Sequence, residues 1–156
     1  MIYKNEFREV KFDPMTIEDL KQIIEMKKTL ERLEEEFVNI DYEKVSSVRF
    51  DGAGTKSKNH DQLEKAALSI IEKKEAIHYQ CCELACKYIE SRFNALRIIT
   101  LIRNEKQMQV LLYKYLDCLS ISEILDKMNS SDRSSYHKLL NRAHKSFLDI
   151  QTECTT

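Results

Sequence analysis

The sequence predicts an all-α protein in which an N-terminal hairpin of two long, coiled-coil-like helices precedes a C-terminal helix-turn-helix. The 156 residues contain only two Gly and one Pro, and so few helix breakers over this length favour long helices. In the first half, apolar residues recur at alternating three- and four-residue spacings, as in coiled-coil heptads. Near the C-terminus, a short helical pattern, a polar turn and a longer helical pattern follow one another, which indicates a helix-turn-helix.

These patterns divide the chain into an N-terminal arm with the first helix and a flexible loop, a long second helix, and a helix-turn-helix unit, at residues 1–60, 61–103 and 104–150. We expect residues 1–12 to be a loose arm. Asp13-Pro14 and Thr16-Ile17-Glu18-Asp19 look like the start of the first helix. Asp13 can cap it, Pro14 suits its first position because the N–H there has no helical partner, and the acidic residues complement the positive helix end. The helix is expected to end near Phe37 or Ile40. Its heptad positions are Ile23, Met26, Leu30, Leu33, Phe37 and Ile40.

A loop is expected over residues 46–59, which hold both glycines and several turn-forming residues. Its Gly52-x-Gly54-x-Lys56-Ser57 pattern is too short for a phosphate-binding loop and follows no apolar strand, so we interpret it as a flexible connector. The second helix is expected to begin near Asp61. Its heptad positions, polar only at Lys74, predict an antiparallel hairpin or a seam for self-association, within one chain or between chains: Leu63, Ala67, Ile70, Lys74, Ile77, Cys81, Leu84 and Tyr88.

The C-terminal unit begins with an apolar patch over residues 97–103, which we expect in its core. Asn104 can cap the helix that follows, and this helix should end at Asp117-Cys118-Leu119. The helix carries an apolar face made of Met108, Leu111, Leu112 and Tyr115.

The helix-turn-helix itself has recognisable boundary signals. Ser120 and Glu123 match a capping box, in which each side chain satisfies the other's free backbone N–H. Ile121, Ile124, Leu125 and Met128 should face inward. Asn129 tolerates the left-handed conformation needed to stop this helix. Ser130 or Ser131 is expected to cap the next one.

The last helix separates an apolar stripe from a polar face. The stripe consists of Tyr136, Leu139, Leu140, Ala143 and Phe147, so Tyr136 is predicted to pack in the core. The opposite face, with the turn before it, presents donors suited to phosphates and to base edges, and the helix N-terminus adds backbone donors for a phosphate. The same pattern also describes a solvated surface helix. The DNA-contact candidates are Ser131, Arg133, Ser134, His137, Lys138, Asn141, Arg142 and Lys145.

Charge is distributed unevenly along the chain. The formal net charge is −1, yet residues 87–148 contain eleven Lys and Arg against six Asp and Glu. The rest of the chain is therefore acidic. The basic part could meet a polyanion, and the acidic part could not.

The segment Ser131-Asp132-Arg133-Ser134-Ser135-Tyr136-His137-Lys138-Leu139-Leu140-Asn141-Arg142-Ala143-His144-Lys145-Ser146-Phe147 resembles the C-terminal signature of ArpU-like phage transcriptional regulators. These are small proteins of Gram-positive phages and prophages, related to the RinA-like late-gene activators. Their pattern is a Ser-rich turn, an aromatic residue, a Leu/Lys-rich helix, then Ala and an aromatic residue. Residues 110–116 resemble the helix that precedes the helix-turn-helix in sigma-factor region 4.

The resemblance implies a sequence-specific protein that binds double-stranded DNA and activates late phage genes. It implies base contacts by His137 or Asn141 and phosphate contacts by Lys138, Arg142 and Lys145. The acidic helices would be available to RNA polymerase or to a second subunit. A dimer formed through the heptad helices would read paired half-sites about one helical turn apart, or a multiple of that.

Two alternatives belong to other classes. A phage small terminase subunit also joins a helix-turn-helix to coiled-coil helices, but it would assemble into rings. A non-enzymatic inhibitor of a host factor could keep the fold without the DNA contacts. Light scattering separates ring from dimer, and salt-dependent DNA affinity separates a regulator from an inhibitor.

The sequence favours no catalytic or cofactor chemistry. No histidine has an evident Ser or Cys nucleophile partner, so we do not expect an enzyme. His78, Cys82 and Cys86 share one helical face, but zinc ligands usually converge from more than one element, so packing or surface thiols are the preferred interpretation. The charged N-terminus, the lack of an apolar span and an odd number of cysteines predict a cytoplasmic protein in the bacterial host, without a membrane partner or a disulfide framework.

Overall fold

The computed structural model describes the backbone of residues 2–5, 8–45 and 56–153, and the side chains of residues 10–40 and 61–153. It confirms the all-α class, since helices dominate the described residues and the strands form one short hairpin. In chain order the elements are β1 (Ile2–Asn5), β2 (Arg8–Lys11), α1 (Ile17–Val45), α2 (Lys56–Ile99), α3 (Glu105–Leu111), a π-helical turn (Leu112–Leu116), α4 (Ile121–Lys127) and α5 (Arg133–Glu153).

The N-terminal residues differ from the expected loose arm. β1 and β2 pair as an antiparallel hairpin in which Ile2 lies opposite Lys11 and Asn5 opposite Arg8. The prediction was wrong for these eight residues because strands of four residues are too short to show a convincing alternation in the sequence.

α1 begins within the predicted segment of residues 16–19, but its cap differs from the prediction. Thr16, not Asp13, precedes the helix. The Thr16 backbone N–H and hydroxyl both donate to Asp19 Oδ2, at 2.6 and 2.7 Å, and the Asp19 N–H donates to Thr16 Oγ1 at 3.2 Å. This reciprocal pairing is a capping box with Asp in place of Glu. Asp13 instead pairs through its backbone with the Asn94 side chain, at 2.8 and 2.7 Å.

Both long helices extend beyond their predicted bounds. α1 continues to Val45, past the expected end near Phe37 or Ile40, and α2 begins at Lys56 rather than near Asp61. Residues 56–59 of the predicted loop are therefore helical. The remainder of that loop, including Gly52 and Gly54, lies outside the described residues.

The chain folds as two compact units, residues 1–26 with 88–156, and residues 27–87. We call the first the core unit and the second the hairpin unit. The core unit contains a continuous apolar core to which the predicted patch at residues 97–103 contributes Ile98, Ile99 and Ile102. The whole buried set is Phe12, Met15, Leu20, Ile23, Ala95, Ile98, Ile99, Ile102, Val110, Leu111, Tyr115, Leu116, Ile124, Leu125, Tyr136, Leu140, Ala143, Phe147 and Ile150.

A buried amide fastens the segment before α1 to α5 within the core unit. Gln151 Oε1 accepts from the Met15 N–H at 2.7 Å, and Gln151 Nε2 donates to the carbonyl oxygens of Met15 and Phe147 at 3.0 and 2.9 Å. Gln151 is a buried polar side chain whose hydrogen-bonding groups are satisfied, as burial requires.

In the hairpin unit the two long helices run antiparallel. The Lys74 ammonium lies 5.0 Å from the centre of the Phe37 ring. Burial, and after it the charge of Glu34 on α1, raises the pKa of Cys81 on α2. Glu34 precedes Phe37 and Cys81 follows Lys74, as antiparallel helices require. Most described heptad positions are only half-buried. Among the described residues of this unit, Ile77 alone is fully buried.

Candidate nucleic-acid interface

The first helix of the helix-turn-helix, α4, begins with the predicted capping box. The Ser120 N–H and hydroxyl both donate to Glu123 Oε2 at 2.7 Å, and the Glu123 N–H donates to Ser120 Oγ at 3.3 Å. The hydrogen bond from the Ser120 hydroxyl, and after it the one from the Ser120 N–H, holds the pKa of the Glu123 carboxyl below its ordinary value. On the inner face Ile124 and Leu125 are buried, and Ile121 and Met128 pack against the core, so the prediction for this helix is confirmed.

The turn after α4 depends on a residue with positive φ. Asn129 adopts φ 51°, as expected for an Asn that ends a helix. The Ser130 N–H then donates to the Leu125 carbonyl at 2.9 Å, which closes the end of the helix. The tight turn between α4 and α5 is therefore marked in the sequence by one residue, Asn129.

The N-terminus of α5 is capped by Asp132 and not by Ser130 or Ser131. Asp132 accepts from the N–H groups of Ser134 and Ser135, at 2.8 and 3.1 Å. The hydroxyl of Ser135, followed by these two amides, lowers the pKa of the Asp132 carboxyl. The carboxylate therefore occupies two of the amide donors that were expected to bind a phosphate.

The inner face of α5 is the predicted apolar stripe. Tyr136, Leu140, Ala143 and Phe147 are buried, and Leu139 is half-buried against the core. Tyr136 is therefore a core residue, as predicted, and burial raises the pKa of its phenol. Within the described part of the chain, the Tyr136 hydroxyl has no hydrogen-bond partner.

The outer face of α5 carries the predicted DNA-contact residues. Steps of four residues lead from Arg133 through His137 and Asn141 to Lys145 and keep successive members on neighbouring positions of one side of the helix. The His137 ring packs edge-on against the Tyr136 ring, and the two ring centroids lie 5.2 Å apart. His137 itself remains exposed on the polar face. All the candidates are exposed: Ser131, Arg133, Ser134, His137, Lys138, Asn141, Arg142 and Lys145.

Two polar contacts that the sequence did not reveal orient α5 on the segment before it. The Tyr115 hydroxyl lies 2.8 Å from His144 Nε2, and the Ser146 hydroxyl donates to Gln107 Oε1 at 2.6 Å. Burial raises the pKa of Tyr115 to about 12, and burial with nearby Lys114 and Lys21 lowers the pKa of His144. No residue pattern marks such partners, because they are 29 and 39 positions apart.

The segment before α4 contains a π-helical turn that the sequence did not predict. The Asp117 N–H donates to the Leu112 carbonyl, five residues earlier, at 2.9 Å. Cys118 follows with φ 55°, so the helix ends at the predicted Asp117-Cys118-Leu119. The π turn widens the helix just before the chain reverses into α4.

The cysteine and histidine cluster on α2 gains no further ligand from the described part of this chain. Cys82 Sγ lies 3.7 Å from His78 Nε2, and no group of three or more metal-binding side chains occurs among the described residues. No described helix combines the length and apolar character needed to cross a membrane.

Residues 43–148 match a protein family described as "Protein of unknown function (DUF1492)". The match covers more than half of the chain, so the chain belongs to this family. No curated protein and no solved structure matches the chain. The family description assigns no activity, and the resemblance to ArpU-like regulators stays a prediction.

Proposed function

We propose that this DUF1492 protein is a sequence-specific transcriptional regulator that binds double-stranded DNA, with α5 as its recognition helix. The observation that carries the proposal is the division of α5 into two faces. Its inner face is buried behind α4 and α3, and its outer face exposes hydrogen-bond donors along three turns. A helix that is fixed on one side and donor-rich on the other is what the major groove admits.

Charge along α5 supports the same orientation. Arg133, Lys138, Arg142 and Lys145 are exposed, whereas the acidic residues within the helix, Asp149 and Glu153, lie in its last two turns. The cations suit phosphates, and the side-chain donors of His137 and Asn141 suit base edges. Because Asp132 holds the first amides of α5, we assign phosphate contacts to side chains.

The resemblance to ArpU-like proteins adds a biological role to the proposal. It implies control of phage or prophage late genes, contact with RNA polymerase, and a dimer that reads two half-sites.

The test is fluorescence anisotropy of the full chain on a pool of duplex DNA across a salt series. We compare the wild type with Lys138→Ala/Arg142→Ala. A matched control, Lys65→Ala/Lys87→Ala, removes the same charge from the exposed surface of α2. We expect the plot of log affinity against log salt to flatten by about 2 in the α5 variant, because about two phosphate contacts are lost, and to stay unchanged in the control.

Two results would count against the proposal. The first is no binding at low salt by folded protein, and the second is an equal loss in both double variants. Once a preferred site has been selected from the pool, Asn141→Ala should weaken binding to that site by about 1–3 kcal/mol and leave binding to random DNA unchanged.

A further inference from the structure

The cations of α5 cover only one part of its outer face. Three of them fall within about 60° of one another around the helix axis, at about 100° per residue, and we call them the cationic arc: Lys138, Arg142 and Lys145. A neighbouring arc of about 60°, centred about 100° from the first, is the histidine arc: His137, Asn141 and His144. Within α5, which the structure describes throughout, the histidine arc contains no Lys or Arg, and Arg133 borders it only in the first turn.

A helix that lies in the major groove of DNA has phosphates on both of its sides. The groove is about 12 Å wide and an α-helix with its side chains is about 10–12 Å across, so both DNA strands border the helix closely. Contacts to phosphates fix the register of a protein on DNA, and elements beside the recognition helix also supply them. The strand beside the histidine arc is therefore left to cations from elements other than α5.

The π-helical turn brings a lysine, Lys114, to the histidine arc. The Tyr115 hydroxyl lies 2.8 Å from His144 Nε2, and the centroids of the two rings are 5.8 Å apart. The Lys114 ammonium lies 5.7 Å from the centre of the same Tyr115 ring. Burial, and after it the charge of Lys114, lowers the pKa of His144, which agrees with this proximity. Lys114 and His144 are thus grouped around one ring.

The Lys114 ammonium is available to an anion. The side chain is half-buried, and the Tyr115 ring that attracts its ammonium supplies no oxygen acceptor for its three N–H donors. Within the described part of the chain, no carboxylate forms an ion pair with Lys114. Lys21 also acts on His144, but it differs because Glu18 Oε2 pairs with its ammonium at 3.0 Å. Of these two lysines, Lys114 is therefore the one suited to a phosphate.

We propose that Lys114 contacts a DNA phosphate, on the strand that lies across the major groove from the phosphates bound by the cationic arc. This inference rests on the proposed function and deepens it, because it adds a second side to the same interface. Tyr115 is a positioning residue, since its ring contacts both the Lys114 ammonium and His144. The recognition helix is then held between both strands, by its own cations on one side and by Lys114 on the other.

The test extends the anisotropy salt series to three single variants of the full chain. Lys114→Met removes the ammonium and keeps an unbranched stem, Lys114→Arg keeps the charge, and Lys65→Met is the matched control at an exposed position of α2. Lys114→Met should lower the slope of log affinity against log salt by about 1, equally on the selected site and on random DNA. Lys114→Arg and Lys65→Met should keep the wild-type slope. Circular dichroism checks that every variant is folded.

A second experiment locates the phosphate. Single phosphates of the selected duplex are replaced in turn by uncharged methylphosphonates. Replacement of the phosphate that Lys114 contacts should weaken wild-type binding by about the same factor as Lys114→Met does, and should weaken the binding of Lys114→Met no further. This phosphate should lie on the opposite strand from those that are located in the same way with Lys138→Ala and Arg142→Ala.

Three results would overturn the role of Lys114: an unchanged salt slope in Lys114→Met, an equal loss of slope in Lys114→Arg, or a phosphate on the same strand as those of the cationic arc. Each of these results is compatible with a loss of slope in Lys138→Ala/Arg142→Ala, which would still support α5 as the recognition helix. Absence of wild-type binding at low salt would instead reject the proposed function itself. The two failures are therefore distinguishable.

Discussion

The core unit and the hairpin unit each contain part of α1 and part of α2, yet they bury very different numbers of side chains. The core unit contains nineteen buried apolar residues, while Ile77 alone is buried among the described residues of the hairpin unit. In the core unit, α3, α4 and α5 contribute buried side chains to one shared core. In the hairpin unit each helix has one seam, and its other faces are exposed.

The difference teaches that the two units derive their order from different sources. Burial of apolar area is the main favourable contribution to folding, so the core unit can hold α5 in place by itself. A single seam of half-buried residues contributes much less. The hairpin unit is therefore the part of the molecule whose stability should depend on association.

The sharpest test removes the same side chain from both units. Phe147 is fully buried in the core unit and Phe37 is half-buried in the hairpin unit. Phe147→Ala should lower the free energy of unfolding by about 3–5 kcal/mol, because it leaves a cavity, and Phe37→Ala by about 1 kcal/mol. Chemical denaturation followed by circular dichroism measures both, and equal losses would remove the distinction between the units.

A smaller effect is expected from the buried amide of Gln151. Gln151→Ala leaves the Met15 N–H and carbonyl without their partner in a buried place, and should lower the free energy of unfolding by about 2 kcal/mol. Asn94→Ala removes a similar pair of hydrogen bonds to Asp13 at a more exposed position, and should lower it by about 1 kcal/mol. Amide hydrogen exchange at Met15 should speed up in the first variant only. Unchanged exchange there would contradict the role of Gln151.

The parts of this architecture that the sequence predicted are those set by local chemistry. Ser120 and Glu123 specify a helix start within four residues, and Asn129 specifies its stop, because the partners are adjacent in the chain. The apolar stripe of α5 is likewise readable from its period. The same reasoning failed at the cap of α5, where Ser130 or Ser131 was expected and the carboxylate of Asp132 accepts the first amide hydrogen bonds instead.

Features that depend on distant residues could not be predicted. Tyr115 pairs with His144, and Gln151 with Met15, across 29 and 136 positions. The π-helical turn at residues 112–116 arises from packing, since its residues have ordinary helical propensities.

A cap within the core unit should contribute less than its buried side chains. Ser120→Ala removes the side-chain acceptor of the Glu123 N–H and should lower the free energy of unfolding by about 1 kcal/mol. Ser122→Ala, inside the same helix and exposed, is the matched control and should change it little. Urea denaturation at neutral pH compares them. A loss in Ser122→Ala as large as that in Ser120→Ala would mean that serine removal, and not the cap, is responsible.

The smallest expected effect is a pH dependence from the Tyr115–His144 pair. The folded state holds the pKa of His144 below the ordinary 6.5, so between these two values the unfolded chain binds more protons than the folded one. The free energy of unfolding should therefore fall as the pH is lowered through about 6.5, and level off below the folded pKa. At alkaline pH, Tyr115 has the opposite effect on the free energy of unfolding. The folded state raises its pKa from 10 to about 12, so the free energy of unfolding should decline as the pH rises from 10 towards 12. His144→Gln should flatten the acid slope between about pH 7 and 5. If the variant keeps the wild-type slope, protonation of His144 does not oppose the packing of α5.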